Sequence, residues 1–431
     1  MSQKVLRLPG YYFVKQLCAR MVLIVIKKLE LENWKSFETA ELHIDPLTIL
    51  IGTNAAGKSN ILDAFRFLQR IASGLSIQES IEGTTSIEQL RGGSNWIIKK
   101  PSSRFGIKLT FEYMGEDYCF SISIKSESSG FQVTEESLQT VERKYQKKIY
   151  WVNNTDDFAI NVHYTTEKQG RKSFLGKATI PVFRQLEAIA GLQPDSASVI
   201  ESLSHILSSL FILDPVPSEM RGYSQFSKAL RPDASNIAGV LAAISDTKKE
   251  RVEETITEYV KSLPEKDLKR IYTITVGEFK KDAMLMCEEG WEDAHTDKVD
   301  AGGMSDGTLR YLAIVAALLT RPENSLFIIE EVDNGLHPSR AVNLLEMLKA
   351  LGTNRNIDVL ITTHNPAILD AAGHKMIPFI FAVHRDMKNG SSFVTPLDSL
   401  DVLPKLMASG SLGNLSKDRS IESAISREVT S

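Results

Sequence analysis

The chain has 431 residues, of which 42% are hydrophobic and 24% charged, so it buries a large core, divides into two or three domains and is not a disordered segment. With 50 Lys and Arg against 54 Asp and Glu, the formal net charge is −4, which gives no general pull toward nucleic acid or acidic membranes, although a local basic face can hide in a balanced total. Cys18, Cys119 and Cys287 are odd in number, far apart and without a CxxC pair, which excludes a disulfide framework and a thiolate zinc site and fits a reducing, cytoplasmic setting.

No stretch reaches the roughly 18 to 20 apolar residues that span a bilayer, and the apolar run Met21 to Ile26 is too short for the core of a signal peptide. Residues 1–20 read as an appended arm or a mis-chosen start, the alternative being an extra strand or helix packed on the first lobe. From Met21 the pattern turns to strands. "LIVIKKLELENWKSF" and "ELHID" alternate apolar and polar residues, and "PLTILIG" is a short apolar run, the mark of a strand covered on both faces.

"ILIGTNAAGKSNILDAF", residues 49–65, then passes from that apolar strand through small residues into a helical pattern. It satisfies G-x-x-x-x-G-K-[ST] in the context the motif requires. Backbone N–H groups of such a loop wrap phosphate oxygens, Gly57 permits close approach, Lys58 offers a mobile cation to the β- and γ-phosphates, and Ser59 can ligand Mg²⁺. Alone, the loop serves a kinase, a GTPase or an ATPase equally well.

After the helical residues Ile61 to Ile71, "FGIKLTFEY", "DYCFSISIKS" and "SGFQVTEESLQTV" alternate again, predicting an antiparallel group. Helical periodicity predominates from about 178 to 270, in "PVFRQLEAIAGL", "SVIESLSHILSSLF" and "KKERVEETITEYVKSL", and predicts a mainly helical insert. Beyond Gly302, "GTLRYLAIVAALL", "SLFIIEE", "AVNLLEMLKAL" and "DVLITTH" alternate helix with apolar strand, as a parallel sheet with crossover helices requires. "IPFIFAVHR" predicts an edge strand, "SSFVTPL" its hairpin partner, and Leu400 to Met407 a helix before a loose Ser/Gly-rich tail. The expected divisions are 1–20 extension, 21–165 N-terminal lobe, 166–300 mainly helical insert, 301–398 C-terminal lobe and 399–431 helix and tail.

Three further elements carry chemistry. Glu330 and Glu331 end the apolar strand "SLFII"; a carboxylate there can hold a Mg²⁺ shell while its neighbour orients or deprotonates water, though such a pair alone reads equally as a solvated edge. Ser305, in "AGGMSDGTLRYLAI", stands at a helix mouth either as an N-cap or as part of an anion site. His364 lies just past the strand in "DVLITTHNPAILD", where parallel-sheet enzymes place ligand contacts, the alternative being a satisfied loop residue.

In this order the four elements resemble the ATPase head shared by ABC, SMC, RecF and OLD-type ATPases, over most of residues 23 to 372. "LELENWKSFETAELHIDPLTILIGTNAAGKSNILDAF", "MSDGTLRYLAI" and "EEVDNGLHPSR" are most similar to the bacterial SMC/RecF-like ATPases of the AAA type in anti-phage defence and mobile-element systems. The resemblance implies an α/β fold, a P-loop ABC/SMC-type head with an antiparallel β subdomain and an inserted helical domain. It also implies an ATPase using ATP and Mg²⁺. By position, Gly52, Asn54, Ala55, Ala56, Gly57, Lys58, Ser59 and Asn60 would hold nucleotide, Ser59 and Glu330 the metal, Glu331 would be the catalytic glutamate, His364 the γ-phosphate sensor, and Ser305 with Gly307 the signature element. Gln89, in "SIEQLRGGS", reads either as a metal-contacting Q-loop residue or as a solvated glutamine.

Such heads meet face to face, each ATP lying between one subunit's P-loop and the other's signature helix, which implies a homodimer or a higher even oligomer with two composite sites. Glu330 departs from the usual Asp, Val332 stands where ABC heads have Pro, His337 where they carry Asp, and Ala55 at a position often Gly; these weaken transporter identity more than hydrolysis. The implied role is a switch commanding a separate effector of nuclease type, with nucleic acid a possible ligand and no membrane partner. The alternative is a RecF-like DNA-binding ATPase of repair and recombination. The remainder after His364 is short for the metal-binding TOPRIM domain of OLD-type nucleases, and Asp370, Asp386, Asp398 and Asp401 lack the paired spacing two catalytic metals want.

Overall fold

The computed structural model describes residues 24–141, 147–154, 159–166, 170–189, 191–261, 263, 268–291, 295–386 and 388–428; the expected extension 1–20 lies outside them. The strands, in chain order, are β1 (Ile24–Trp34), β2 (Phe37–His43), β3 (Leu47–Ile51), β4 (Arg104–Tyr113), β5 (Glu116–Glu127), β6 (Gly130–Thr140), β7 (Lys148–Asn154), β8 (Ala159–Thr166), β9 (Gly170–Lys177), β10 (Phe211–Leu213), β11 (Ser224–Gln225), β12 (Leu268–Val276), β13 (Asp282–Trp291), β14 (His295–Asp300), β15 (Ser325–Ile329), β16 (Ile357–Thr363), β17 (Ile380–Arg385) and β18 (Ser392–Pro396). One sheet of 14 strands runs in the order β10-β15-β16-β3-β17-β18-β2-β1-β4-β5-β6-β7-β8-β9. Its first five strands are parallel; from β2 to β9 it is an antiparallel meander. The two parts join at β18, which pairs antiparallel with β17 and meets β2 through Ser392 and Phe37.

Side-chain alternation explains why the parallel part is covered on both faces. Ile49 and Ile51 of β3, Phe327 and Ile329 of β15, and Val359 and Ile361 of β16 enter one core, while Leu50, Leu326, Ile328 and Leu360 enter another. The apolar runs that read as strands are therefore apolar at every position because both faces are dry. Helices Asp306–Thr320 and Ala341–Arg355 supply the first core; helices Lys58–Ala72 and Pro194–Ser209 supply the second, together with the inner face of the antiparallel strands. The result is the expected α/β class, a doubly wound sheet continued by an antiparallel lobe.

Three stretches differ from expectation. Residues 166–300 are mixed rather than mainly helical: β9 closes the meander, β10 is the edge of the parallel sheet, and β11 to β14 form a second, smaller sheet. The alternating run "RIYTITV" within β12, with Ile271 and Thr273 buried, carries that signal. β17 is internal, between β3 and β18, because Ile380, Phe381, Ala382 and Val383 are all buried. The expected tail folds into helices Leu412–Lys417 and Ser420–Glu428. Leu412, Leu415, Ile421 and Ile425 recur at helical spacing and enter the first core, and Gly413 N–H donates to Asp370 at 2.7 Å.

Candidate nucleotide site

The carboxyl ends of the parallel strands converge on one crevice, the place where doubly wound sheets bind ligands. Register fixes the neighbours: Leu213 pairs with Ile329, Ile329 with Ile361, and Thr363 with Ile51. One or two residues beyond those pairs lie Glu330, Glu331, His364 and the loop that begins at Gly52. The order of motifs along the chain becomes a set of adjacent strand ends.

The loop is shaped for close approach. Gly52 has φ 147° and a Cβ there would lie 2.2 Å from the Val383 carbonyl; Gly57 has φ 123° and its Cβ would meet Ser392 Oγ at 2.8 Å. Both positions exclude a side chain. Ala55 takes φ 63°, a left-handed conformation that costs an L-residue roughly 1–2 kcal/mol. Ala56 is buried, whereas Thr53, Asn54 and Ala55 face solvent. The helix Lys58–Ala72 starts with no side-chain cap on its first N–H groups, leaving an electropositive end suited to phosphate. Asn60 braces this end, its amide donating to Ser36 Oγ at 2.7 Å while its carbonyl accepts the Trp34 indole N–H at 2.7 Å.

Lys58 is buried and donates to the carbonyls of Gly52 at 2.5 Å and Thr53 at 3.1 Å. Burial pushes its pKa below the ordinary lysine value, against the opposing pull of Glu331, Asp333 and Glu330. Ser59 Oγ donates to Glu330 at 2.7 Å, so the two expected metal ligands touch. Asp333 is buried, and its Oδ1 has no hydrogen-bond partner. A loop open to solvent, an uncapped helix, a Ser–Glu pair and an unsatisfied carboxylate oxygen fit a Mg²⁺–nucleotide complex, since Mg²⁺ keeps several waters and takes one or two protein ligands beside phosphate.

Glu330 also meets two arginines that carry no motif in the sequence. Arg91 is bidentate, with Nη1 and Nη2 each 2.8 Å from a carboxylate oxygen, and Arg66 Nη2 donates at 3.0 Å. Burial pushes the Glu330 pKa up; the Arg91 and Ser59 hydrogen bonds and the arginine charges overcome it and bring it down to about 2. Arg66 also binds Asp63 at 2.8 Å, and Lys35 Nζ bridges Asp63, at 2.5 Å, to the Arg91 carbonyl, at 2.7 Å. Lys35, Asp63, Arg66, Glu330 and Arg91 thus close a ring of charge-assisted hydrogen bonds. Gln89 is exposed, and it is Arg91, two residues on, that reaches Glu330. One signal was legible: Ser59, Asp63 and Arg66 lie at i, i+4 and i+7 of helix Lys58–Ala72, a polar stripe along one face.

Glu331 stands at φ 47°, its N–H held by Thr362 Oγ1 at 2.8 Å. His364 is exposed immediately after β16. Ser305 and Gly307 lie at a second place, the start of helix Asp306–Thr320. Ser305 is exposed and is the N-cap, accepting from Thr308 N–H at 3.1 Å. A Cβ on Gly307 would lie 2.6 Å from the Gly335 carbonyl, so the helix start presses on the turn that comes after the glutamates. Arg221, also without a motif, binds the carbonyls of Gly302 at 2.7 Å and Met304 at 2.8 Å and the Asp306 carboxylate at 2.6 Å, fixing the approach to this helix.

Residues 47–370 match the family described as "AAA domain, putative AbiEii toxin, Type IV TA system". Among curated proteins, the chain is 23% identical to the Retron Ec83 probable ATPase of Escherichia coli, over 89% of this chain and 76% of that protein. It is 22% identical to an ATP/GTP phosphatase of Helicobacter pylori, over 80% of this chain and 87% of that one. Among solved structures, the SMC head domain from Thermotoga maritima aligns with TM-score 0.43 and 16% identity over 86% of this chain and 98% of that one. An SmcHead bound to the C-winged helix domain of ScpA aligns with TM-score 0.48 and 13% identity, over 88% and 99%. The family match spans both strand-end motifs and the loop between Gly52 and Ser59: the chain belongs to this AAA family and is an ATPase.

Proposed function

We propose that the chain is an ATP-driven switch of bacterial defence. In this reading it closes as a homodimer, or a higher even oligomer, around ATP and Mg²⁺, hydrolyses the ATP, and through that cycle controls a separate cytoplasmic effector of nuclease type. The observation that carries the chemistry is the 2.7 Å contact between Ser59 and Glu330, which brings the phosphate loop and the acidic strand end to one point. The family description and the retron ATPase among the relatives support the defence setting. Among the described residues no helix is long and apolar enough to cross a membrane.

Each residue has a distinct task. The N–H groups of residues 54–60 cradle phosphate oxygens, and Lys58 exchanges the Gly52 and Thr53 carbonyls for the β- and γ-phosphates. Ser59 and Glu330 hold the metal, which when bound neutralises the charge developing on the transferring phosphoryl group. Glu331 orients the attacking water and accepts its proton, and His364 contacts the γ-phosphate. Ser305, exposed at a helix start remote in sequence from the chain's own loop, and Gly307 buried beside it face the partner's nucleotide.

Separate variants test these tasks. Lys58→Ala abolishes ATP binding, whereas Glu331→Gln retains it and slows turnover by about 10²- to 10⁴-fold. Sedimentation of the Glu331→Gln protein with ATP gives a dimer, and adding Ser305→Arg returns it to monomer. Equal loss of ATP binding in the Lys58 and Glu331 variants removes Glu331 from the chemistry. Unaltered, concentration-independent turnover by Ser305→Arg sinks the composite site. The purified chain, with Mg²⁺ and ATP, leaves plasmid DNA intact; cleavage that co-purifies with it contradicts the separate effector.

A further inference from the structure

The antiparallel lobe carries a surface that nucleotide hydrolysis does not use. On its inner face Tyr150, Val152, Ile160, Val162 and Tyr164 are buried in the second core, so the alternate residues of β7 and β8 point to solvent on a firm support. Register lines them up. Ser121, Ser137, Trp151, His163 and Ser173 are cross-strand neighbours in one row from β5 to β9. Beside it, Gln139 pairs with Lys148 and Thr165 with Arg171. Neither row holds an acid.

At the β7–β9 end the rings and cations are assembled together. Trp151 and His163 stack with centroids 5.2 Å apart and planes 17° from parallel. Lys148 Nζ lies 5.5 Å and Arg171 Cζ 5.3 Å from the Trp151 ring centroid. Lys148 and Arg171 are exposed. The same face turns acidic at its other end, where Glu30, Glu32 and Glu41 share a groove with Ser121. There the charges are mixed, since Lys108 lines the same groove, whereas the ring stack and its two cations at β7–β9 have no acid in their own rows.

We propose that this end of the sheet, β7 to β9, binds single-stranded nucleic acid. Lys148 and Arg171 take the phosphates, and the Trp151 and His163 rings take an unpaired base. The pairing of cations with stacked rings selects this ligand, because an acidic peptide offers the charge without the flat base and a duplex keeps its bases stacked on one another. Sequence tolerance follows from the chemistry, since every base has a face to stack. This surface shares no residue with the nucleotide site, and its ligand goes beyond the proposed switch.

Fluorescence anisotropy on the full chain without ATP tests it, using labelled oligothymidylate and oligouridylate of about twenty nucleotides. The wild type binds at least one of them, and polyglutamate competes only weakly. Lys148→Glu with Arg171→Glu weakens binding at least about tenfold and lowers the salt slope by about 1.4, the change expected when two phosphate contacts are lost. Lys148→Gln with Arg171→Gln, checked for an unchanged melting temperature, moves binding in the same direction if the charge reversal impairs folding. Trp151→Ala weakens oligonucleotide binding about tenfold, the scale of one lost stacking contact. Lys58→Ala binds the oligonucleotides as the wild type does, so the two readings fail separately. Failure to bind either oligonucleotide, equal affinity for a duplex of the same length, or wild-type binding by the folded Gln pair overturns the proposal.

Discussion

The Thr362 hydroxyl accepts the Glu331 N–H at 2.8 Å and so holds that glutamate at φ 47°, at the end of the strand neighbouring its own. The left-handed turn separates the Glu331 backbone from the extended strand that ends at Ile329, and the proposed function gives the two adjacent acids different tasks. Thr362→Val keeps the shape and removes the acceptor. We expect turnover to fall about tenfold, the scale of a base displaced rather than removed, with ATP affinity unchanged. Single-turnover hydrolysis beside equilibrium binding separates the two; a loss confined to binding contradicts this role for Thr362.

Arg91 supplies two of the hydrogen bonds that depress the Glu330 pKa to about 2. A carboxylate with a folded pKa below its unfolded value adds stability that is present above about pH 4.5 and is lost as pH falls toward 2. In Arg91→Ala the folded pKa rises toward the unfolded value, so the variant loses less stability on acidification and the wild-type advantage shrinks as pH falls below about 4.5. Arg91 is itself half exposed, and the loss at neutral pH is correspondingly modest, about 1 kcal/mol. Melting curves from pH 3 to 7 on the nucleotide-free protein measure both effects, and superimposable wild-type and Arg91→Ala profiles exclude the coupling.

Glu136 has the opposite sign. It is buried, accepts the N–H groups of Val182 at 2.8 Å and Phe183 at 2.9 Å and the Tyr150 hydroxyl at 2.8 Å, and burial raises its pKa to about 7. The folded state therefore binds this proton more tightly than the unfolded chain, and its stabilisation, full below about pH 4.5, is lost as pH rises through 7. Glu136→Gln removes that titration. The difference in melting temperature between wild type and variant should drift against the wild type from pH 5 to 8; a constant difference means Glu136 does not titrate there.

Ala55 carries the left-handed cost in an exposed part of the loop. Ala55→Gly relieves it, and the nucleotide-free protein should gain about 1 kcal/mol, less what the glycine adds to unfolded-chain entropy. Denaturant unfolding reads the change. Lower stability in the variant means that contacts of the alanine methyl outweigh the backbone cost.

β3, β15 and β16 were legible because their runs are mainly apolar and end in motif residues, so sequence order maps directly onto adjacent strand ends. Long-range polar contacts were not legible: nothing in the neighbourhood of Arg91 marks it as a partner of Glu330, 239 residues away. Gln89 reads in the sequence as a Q-loop candidate or a solvated glutamine, while the side chain that reaches the acid is Arg91. The final helices were hidden by their Ser and Gly content, although Leu412, Leu415, Ile421 and Ile425 carried the periodicity.

Ser392 and Phe37 form the pair joining β18 to β2, and both lie against Gly57. Ser392 donates to the Ala56 carbonyl at 2.6 Å and lies 2.8 Å from Ser36 Oγ, and Ser36 accepts from Asn60. The seam between the two halves of the sheet is therefore built from the backbone and first helical turn of the phosphate loop. A rocking of one half against the other cannot leave that loop undisturbed, and whatever fills the loop must stiffen the rocking. A ligand in the loop and a displacement of the distal meander would therefore act on the same few contacts.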